Sequence, residues 1–540
     1  VNAHVVYVLF QNQFWLQFKM FTRTKDPIKK VHLNTATHVP KDFVLNKIKM
    51  KIEDIQVNTS TIINEQLENM VSEFKNVLEN SDELERQLNH LFSQSNSDQA
   101  DGKMATKKGH LRTKVFKTRN SFLTDLLEIN HIQTIYHIFI ALLFGLFINS
   151  TVYDIIHTGQ TKMGFALILS AFVNIHSVLF MWICMFASTC LTYVVFHIWT
   201  YLLMQLHPQY VYTKLLNKFF LGLYLVYISA FIYHFTSTVI IYELTAPESV
   251  AVLCEIMRLL MKTHAFIRAN APVALQYKPH TEKEVSIPEF SKFLYFLFAP
   301  TLIYQNSYPR TQSIRWGYVC KCFIEVLACM VYMSFITERF LIREFNQFGV
   351  KSFGWKEITL IVLGNGLAGI LVLLNTFYAV LHCWMNGFAE MLRFGDRLFY
   401  EDWWTSTTYS RYYRTWNVVV HDWLYAYIYK DMYEHVVPGN ILLAKLTVFF
   451  VSAMVHEYIL GFAFRFCMPI LFIEFFGLGV IFSFLKSNNK AIGNAAVWYG
   501  LGCGMGIGVS AYALEFYARL NCPAQSGGIA SYFIPRSIFC

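Results

Sequence analysis

The chain runs to 540 residues, of which 55% are hydrophobic, 17% aromatic and only 15% charged, against roughly a quarter charged in a typical soluble domain, so an ordinary water-soluble enzyme is excluded. Its formal charge of +9 gathers beside one expected membrane boundary, so it gives no argument for nucleic acid, which is not expected as a partner, and favours a lipid headgroup surface. The 11 cysteines form neither a CxxC pair nor a Cys/His cluster at zinc spacing, which argues against a metal site.

Residues 1–120 read as a polar, cytosolic N-terminal region. The chain begins with Val rather than Met and carries no cleavable signal before residue 120, as a truncated start would. Over about 62–92, Leu67, Val71, Phe74 and Leu78, then Leu84, Leu88 and Leu91, recur at spacings of three and four among Glu65, Glu68, Glu73, Glu79, Glu83 and Glu85. One face of such a helix is apolar and mates either with a second copy or with its own domain. A break at 80–82 argues against one long rod. Lys103, Lys107, Lys108, Arg112, Lys114, Lys117 and Arg119 follow, with no acidic residue among them, and by the positive-inside rule place the N-terminus in the cytosol.

From 121 to 540 the pattern is that of an all-α, multi-pass transmembrane domain. A spanning helix needs about 20 mostly apolar residues, and candidates lie near 134–153, 163–181, 184–206, 219–242, 320–338, 358–384, 441–464, 466–485 and 491–514, about nine in all. No Asp, Glu, Lys or Arg falls between Lys162 and Lys214, or from Ile358 to Ala389. An odd number of spans carries the C-terminal tail, with Cys522 and Cys540, to the luminal side. Residues 244–318 and 390–440, aromatic with interspersed charges, suit membrane-surface helices and loops. No transporter-type internal repeat is visible.

Chemistry is expected where polar groups sit in hydrocarbon. His456, in the run Val451-Ser-Ala-Met-Val-His-Glu-Tyr458, is a functional candidate because an ionisable residue there is costly, and a neutral imidazole accepts a proton. The alternative is a packed histidine bonded to a neighbouring helix. Glu457, about 100° around the helix, cannot face the same cavity. In Tyr412-Tyr-Arg-Thr-Trp-Asn-Val-Val-Val-His-Asp-Trp423, a helix would put Asn417 and His421 on one face, able to orient a substrate group or bind an oxyanion; a surface helix bonded by its own polar groups fits equally. Phe399-Tyr-Glu-Asp-Trp-Trp404, taken alone, reads as an interfacial anchor.

Together, FYEDWW, YYRTWNVVVHDW and VSAMVHEY resemble the sterol O-acyltransferases of the membrane-bound O-acyltransferase family. The likeness continues through Phe296-Leu-Phe-Ala-Pro-Thr-Leu-Ile-Tyr304, Ser307-Tyr-Pro-Arg310, Arg315-Trp-Gly-Tyr318, His382-Cys-Trp384 and the segment from Phe388 to Arg397, covering roughly 119–540. It implies a homodimeric or homotetrameric enzyme of the endoplasmic reticulum membrane. Acyl-CoA, a co-substrate rather than a bound cofactor, gives its long-chain acyl group to the 3-hydroxyl of cholesterol or a related sterol.

Matched to the family, His456 falls on the catalytic histidine, Asn417 on its partner asparagine and His421 on a third site residue. Phe399, Tyr400, Asp402, Trp403 and Trp404 match the motif FYxDWWN, associated with acyl-CoA, and Ser410, Tyr413 and Arg414 are carried into the same site. The motif's final Asn is Thr405 here, which keeps a hydrogen-bonding oxygen and loses the amide. The resemblance also pairs Cys522 with Cys540 and sets the N-terminal helix where the family carries an oligomerising segment. His456 would act as general base and Asn417 as oxyanion donor. Ser452, one turn earlier, reads as a packing serine, so direct transfer is favoured over an acyl-enzyme. Arg414 and Lys430 are candidates for the CoA phosphates. A diacylglycerol acyltransferase is the nearest alternative, although RTWNVVVHDW is worded as in the sterol branch. A transporter or channel would account for the spans but not for these motifs, and the retained His456 and Asn417 argue against an inactive lipid sensor.

Overall fold

The computed structural model describes residues 113–159, 164–206, 210–276, 287–351, 353–485, 487–523 and 530–540. The expected helix over 62–92 and the basic residues Lys103, Lys107, Lys108 and Arg112 lie outside them. Among the described residues the chain is helical and forms three isolated bridge pairs but no strand. In chain order the main helices are α1 (Asn130–His157), α2 (Ile175–Leu206), α3 (Val211–Ile241), α4 (Ala246–Leu275), α5 (Phe290–Phe298) and α6 (Trp316–Phe345). Then come α7 (Trp355–Met391), α8 (Tyr409–Thr415), α9 (Val418–Leu424), α10 (Ile441–Phe464), α11 (Ile470–Ser483) and α12 (Lys490–Asn521).

Seven of these, α1, α2, α3, α6, α7, α10 and α12, are long and apolar enough to cross a membrane, against about nine expected. The segment 163–181 makes no span of its own. A short helix, Phe165–Ala171, stops, and α2 begins at Ile175 and continues unbroken to Leu206. Tertiary bonds hold that break: the Thr245 hydroxyl donates to the Ala171 carbonyl at 2.8 Å, and the Asn174 N–H donates to Glu248 Oε1 at 2.6 Å. Residues 466–485 yield only α11, at 1.5 Å per residue about 21 Å long, short of a hydrocarbon core of about 30 Å.

The region 244–318, expected on the membrane surface, instead contributes an interior helix. Helix α4 starts at a capping box in which Glu248 Oε2 accepts the Thr245 N–H at 2.9 Å. Its Val252, Leu253, Ile256, Leu259 and Phe266 are buried, and it packs against α2 and α10. Its buried Lys262 donates from Nζ to the carbonyls of Phe296 and Ala299 at 2.6 and 2.7 Å. The amine at the end of α5 satisfies carbonyls that the helix leaves open.

The tightest helix pair is α7 with α12, set by glycines. A Cβ on Gly369 would stand 2.7 Å from Met505 Cβ, and one on Gly506 3.0 Å from Gly366 Cα; in lipid, small residues let backbones approach and gain dispersion contacts. Cys522 and Cys540 form a disulfide with Cα atoms 6.0 Å apart. Gly349 lies against its sulfurs with φ +83°, where a side chain would collide with both. Among the described residues five turns are π-helical, at 337–342, 377–384, 425–429, 432–436 and 473–478.

Candidate active site

The aromatic motif 399–404 folds as a buried hub. Phe399, Tyr400 and Trp403 are 1%, 0% and 1% exposed. Phe377 of α7 packs at 4.7 Å on Tyr400 and 5.2 Å on Trp403, which meets Trp416 at 4.7 Å and Trp498 of α12 at 5.5 Å. These three rings are enclosed, so in this structure they pack the loop that carries the other motif residues. Trp404 and Asp402 are half-buried, and the Trp404 carbonyl accepts from Asn494 Nδ2 at 2.9 Å and Trp498 Nε1 at 3.0 Å, tying the loop to α12.

Asp402 accepts from Arg411 Nη2 with both oxygens, at 3.0 and 2.9 Å. Thr405, standing where the family motif ends in Asn, donates from Oγ1 to Asp402 Oδ2 at 2.6 Å or its carbonyl at 2.8 Å. The hydroxyl thus supplies a donor to the acidic residue. Beside them the Glu401 carboxyl is raised by burial and by Asp402, against the pull of Arg411, Arg119 and Arg414. Burial lowers the Arg414 guanidinium, with Glu401 opposing.

Helix α8 opens on Thr408, whose hydroxyl accepts the Arg411 N–H at 3.3 Å. Its Ser410 carbonyl accepts from Arg414 Nε at 3.3 Å, and its Tyr413 ring reaches Phe449 of α10 at 5.4 Å and Phe475 of α11 at 6.0 Å. Lys430 lies 3.9 Å from Glu434, an ordinary i, i+4 pair.

His456 stacks on that same Phe475, with centroids 4.8 Å apart. Its Nδ1 lies 2.7 Å from the Ser452 carbonyl; a carbonyl only accepts, so Nδ1 carries the proton and Nε2 keeps its lone pair. The residue is exposed, but not on the outward side of α10. Met454, 47% exposed, points about 200° away, whereas Phe449, seven residues before His456, shares its face. The accessible ring thus opens on the side where Tyr413 and the motif segment pack. Glu457 turns away as expected, taking the Phe472 N–H at 3.3 Å and the Tyr512 hydroxyl at 3.2 Å.

Asn417 is not inside a continuous helix. It is the N-cap of α9, at φ −137°, and its Oδ1 accepts the Val420 N–H at 3.1 Å. The His421 N–H still donates to the Asn417 carbonyl at 3.0 Å, so the two residues remain one turn apart. Because capping uses the side-chain oxygen, the amide nitrogen is the group left to act as donor. His421 Nδ1 lies 3.8 Å from Asp422 Oδ1.

Sequence reasoning missed several contributors. Phe475 and Phe449 gave no signal among 49 phenylalanines. Asn494, polar within an apolar run, could have been singled out. So could His382, whose Nδ1 is 2.6 Å from the Tyr400 hydroxyl and which orients that ring from α7. Lys114 and Arg119, expected to face headgroups, turn inward to Asp422 and Asp396 at 2.6 and 2.7 Å.

The model of the membrane-bound O-acyltransferase family matches residues 148–513. The chain is 42% identical over 433 residues to sterol O-acyltransferase 1 of Chlorocebus aethiops, covering 79% of this chain and 78% of that protein. It is 40% identical over 430 residues to sterol O-acyltransferase 1 of Mus musculus, covering 79% of each. With sterol O-acyltransferase 2 of Homo sapiens it shares 38% over 433 residues, 79% of this chain and 81% of the other.

Proposed function

The chain belongs to the membrane-bound O-acyltransferase family, and from that premise we propose that it esterifies a sterol, taking a long-chain acyl group from acyl-CoA with His456 as general base. One observation carries the proposal: His456 commits Nδ1 to the Ser452 carbonyl and presents Nε2 on the side of the motif segment. A sterol hydroxyl is a poor nucleophile near neutral pH. Nε2 takes its proton as the oxygen attacks the thioester carbonyl, and the Asn417 amide donates to the oxyanion that forms. Collapse breaks the C–S bond, and the imidazolium returns the proton to the CoA thiolate.

Arg411, Arg414 and Asp402 line the polar approach, where the charged nucleotide would enter. Hydrocarbon parts of both substrates would lie among the aromatic side chains of α10 and α11. The same reading assigns the chain to the endoplasmic reticulum as a homodimer or homotetramer, N-terminus cytosolic. The Cys522–Cys540 disulfide supports a luminal tail, since oxidising compartments keep such bonds.

Microsomes bearing the chain, given labelled oleoyl-CoA with cholesterol or with diacylglycerol, test this. Steryl ester should form, and His456→Ala should lower its rate by about 10²–10⁴-fold, the usual share of a general base. Ester from diacylglycerol alone would reassign the acceptor; ester from neither would refute acyl transfer to these lipids.

A further inference from the structure

Residues 113–121, which precede the first membrane helix, are stitched onto the motif loop. Phe116 packs on Tyr308 at 5.1 Å and on Phe394 at 6.2 Å. The Arg119 N–H donates to the Gly395 carbonyl at 2.9 Å, and its own carbonyl accepts the Arg397 N–H at 3.2 Å. Its Nε and Nη2 reach the two oxygens of Asp396 at 2.7 and 3.1 Å. Gly395 leaves room for this crossing, since a Cβ there would stand 2.9 Å from the Pro309 carbonyl and 3.3 Å from Thr118 Oγ1.

The strap ends on Lys114. Its carbonyl accepts from Gln305 Nε2 at 3.3 Å, and its Nζ donates to Asp422 Oδ2 at 2.6 Å across 308 residues of chain. Both side chains are mostly enclosed, 20% and 23% exposed. Helix α9 continues without a break through the π-helical turns to Val436, and tertiary contacts from elsewhere in the chain fix its first two turns, which carry His421. The Val418 N–H bonds the Phe399 carbonyl at 2.9 Å, Trp423 Nε1 bonds the Met261 carbonyl at 2.9 Å, and Lys114 holds Asp422.

We propose that Lys114 is a positioning residue for acyl transfer: by clamping Asp422 it keeps α9, and with it His421 and the Asn417 cap, oriented towards the reacting groups. This rests on the reading that Asn417 and His421 serve the site. Without Lys114, the nearest cationic or donor partner of Asp422 is His421, whose Nδ1 is 3.8 Å from Oδ1. The carboxylate then captures the imidazole and turns it from its resting direction.

The test uses the full chain in microsomes, with Lys114→Gln, Lys114→Arg and the exchange of Lys114→Asp with Asp422→Lys. For Lys114→Gln, kcat should fall about tenfold with KM for oleoyl-CoA changed less than about twofold, the pattern of lost positioning rather than lost binding. Lys114→Arg should stay near wild type, and the exchange should recover much of the loss that Asp422→Lys alone produces, as a coupled pair requires. Unchanged kcat in Lys114→Gln, equal losses in Gln and Arg, or an effect confined to KM would each overturn the clamp. If wild type esterifies no sterol, the functional reading fails instead. The clamp is then judged by melting of the same proteins in detergent: a drop for Lys114→Gln, restored in the exchange, supports it, and no drop overturns it.

Discussion

Replacing Gly369 by Ala puts one methyl group between α7 and α12. Its Cβ would stand 2.7 Å from Met505 Cβ, 2.9 Å from Met505 C and 3.1 Å from Gly506 N, where ordinary contacts run 3.4–4 Å. Two of the three obstacles are backbone atoms, so no rotamer change relieves them and the helices must part. Overpacking costs about 1–3 kcal/mol, and contacts this short point to the upper end. Ala regains up to about 1 kcal/mol of helix propensity, leaving a net loss of about 1–2 kcal/mol. Gly145→Ala in α1 supplies the control, because nothing lies within 4 Å of its Cβ and only the propensity gain applies. Melting of the detergent-solubilised proteins should therefore rank Gly145→Ala at or above wild type and Gly369→Ala below it. Esterification should fall with Gly369→Ala, since α12 also holds the Trp404 carbonyl through Asn494 and Trp498. Equal melting temperatures for the two variants would refute the claim that α7 and α12 touch through glycine.

Glu390→Ala should destabilise by about 3–5 kcal/mol, mostly by leaving Arg397 charged and buried; Arg397 is 3% exposed, while Arg315, the other partner, is 59% exposed and adds little. Thermal unfolding reads this, with Glu390→Gln intermediate. Thr405→Asn should preserve steryl ester formation, whereas Thr405→Ala, which removes the donor to Asp402, should cost about 1 kcal/mol, roughly fivefold in rate. Burial raises the Asp422 carboxyl, but His421 and Lys114 outweigh it and hold the group below its ordinary 3.8. A depressed pKa contributes stability that is complete above 3.8 and is lost as pH falls through the folded value. Acid unfolding of Lys114→Gln should accordingly begin at higher pH than that of wild type. Gly349→Ala should block the Cys522–Cys540 bond, because its methyl collides with both sulfurs, and mass spectrometry after alkylation would find two more modified thiols than in wild type.

Hydropathy made most of the spans legible, because bilayer thickness sets one length for all of them. It misread 163–181 because the break is held by Thr245 and Glu248, 74 residues away in sequence, and no local pattern encodes a distant hydroxyl donor or carboxylate acceptor. Helix α4 looked superficial for a related reason. Its charges suggested water, yet Glu248 caps its own helix and Lys262 caps another. At the site, His456 and Asn417 stood out as polar groups at telling positions, and geometry added the tautomer and the cap. The motif aromatics stood out as a unit, but the enclosure of Phe399, Tyr400 and Trp403 could not be read from the sequence. A sequence carries the identity of a ring and not its enclosure. Lys114 was counted with its basic neighbours because its carboxylate partner lies 308 residues downstream.

The π-turn at 473–478 bears on how this protein can vary. A widened turn is a residue absorbed by a helix without lengthening any loop. Removing one residue there would restore ordinary pitch and reassign which side chains face the neighbours within that turn, leaving the helix beyond it in register. Phe475 would then leave its place beside His456, while both ends of α11 kept their connections. Single-residue indels inside such turns are thus a route to remodelling the wall beside His456 that point substitution does not offer, and alignments that confine gaps to loops will overlook it.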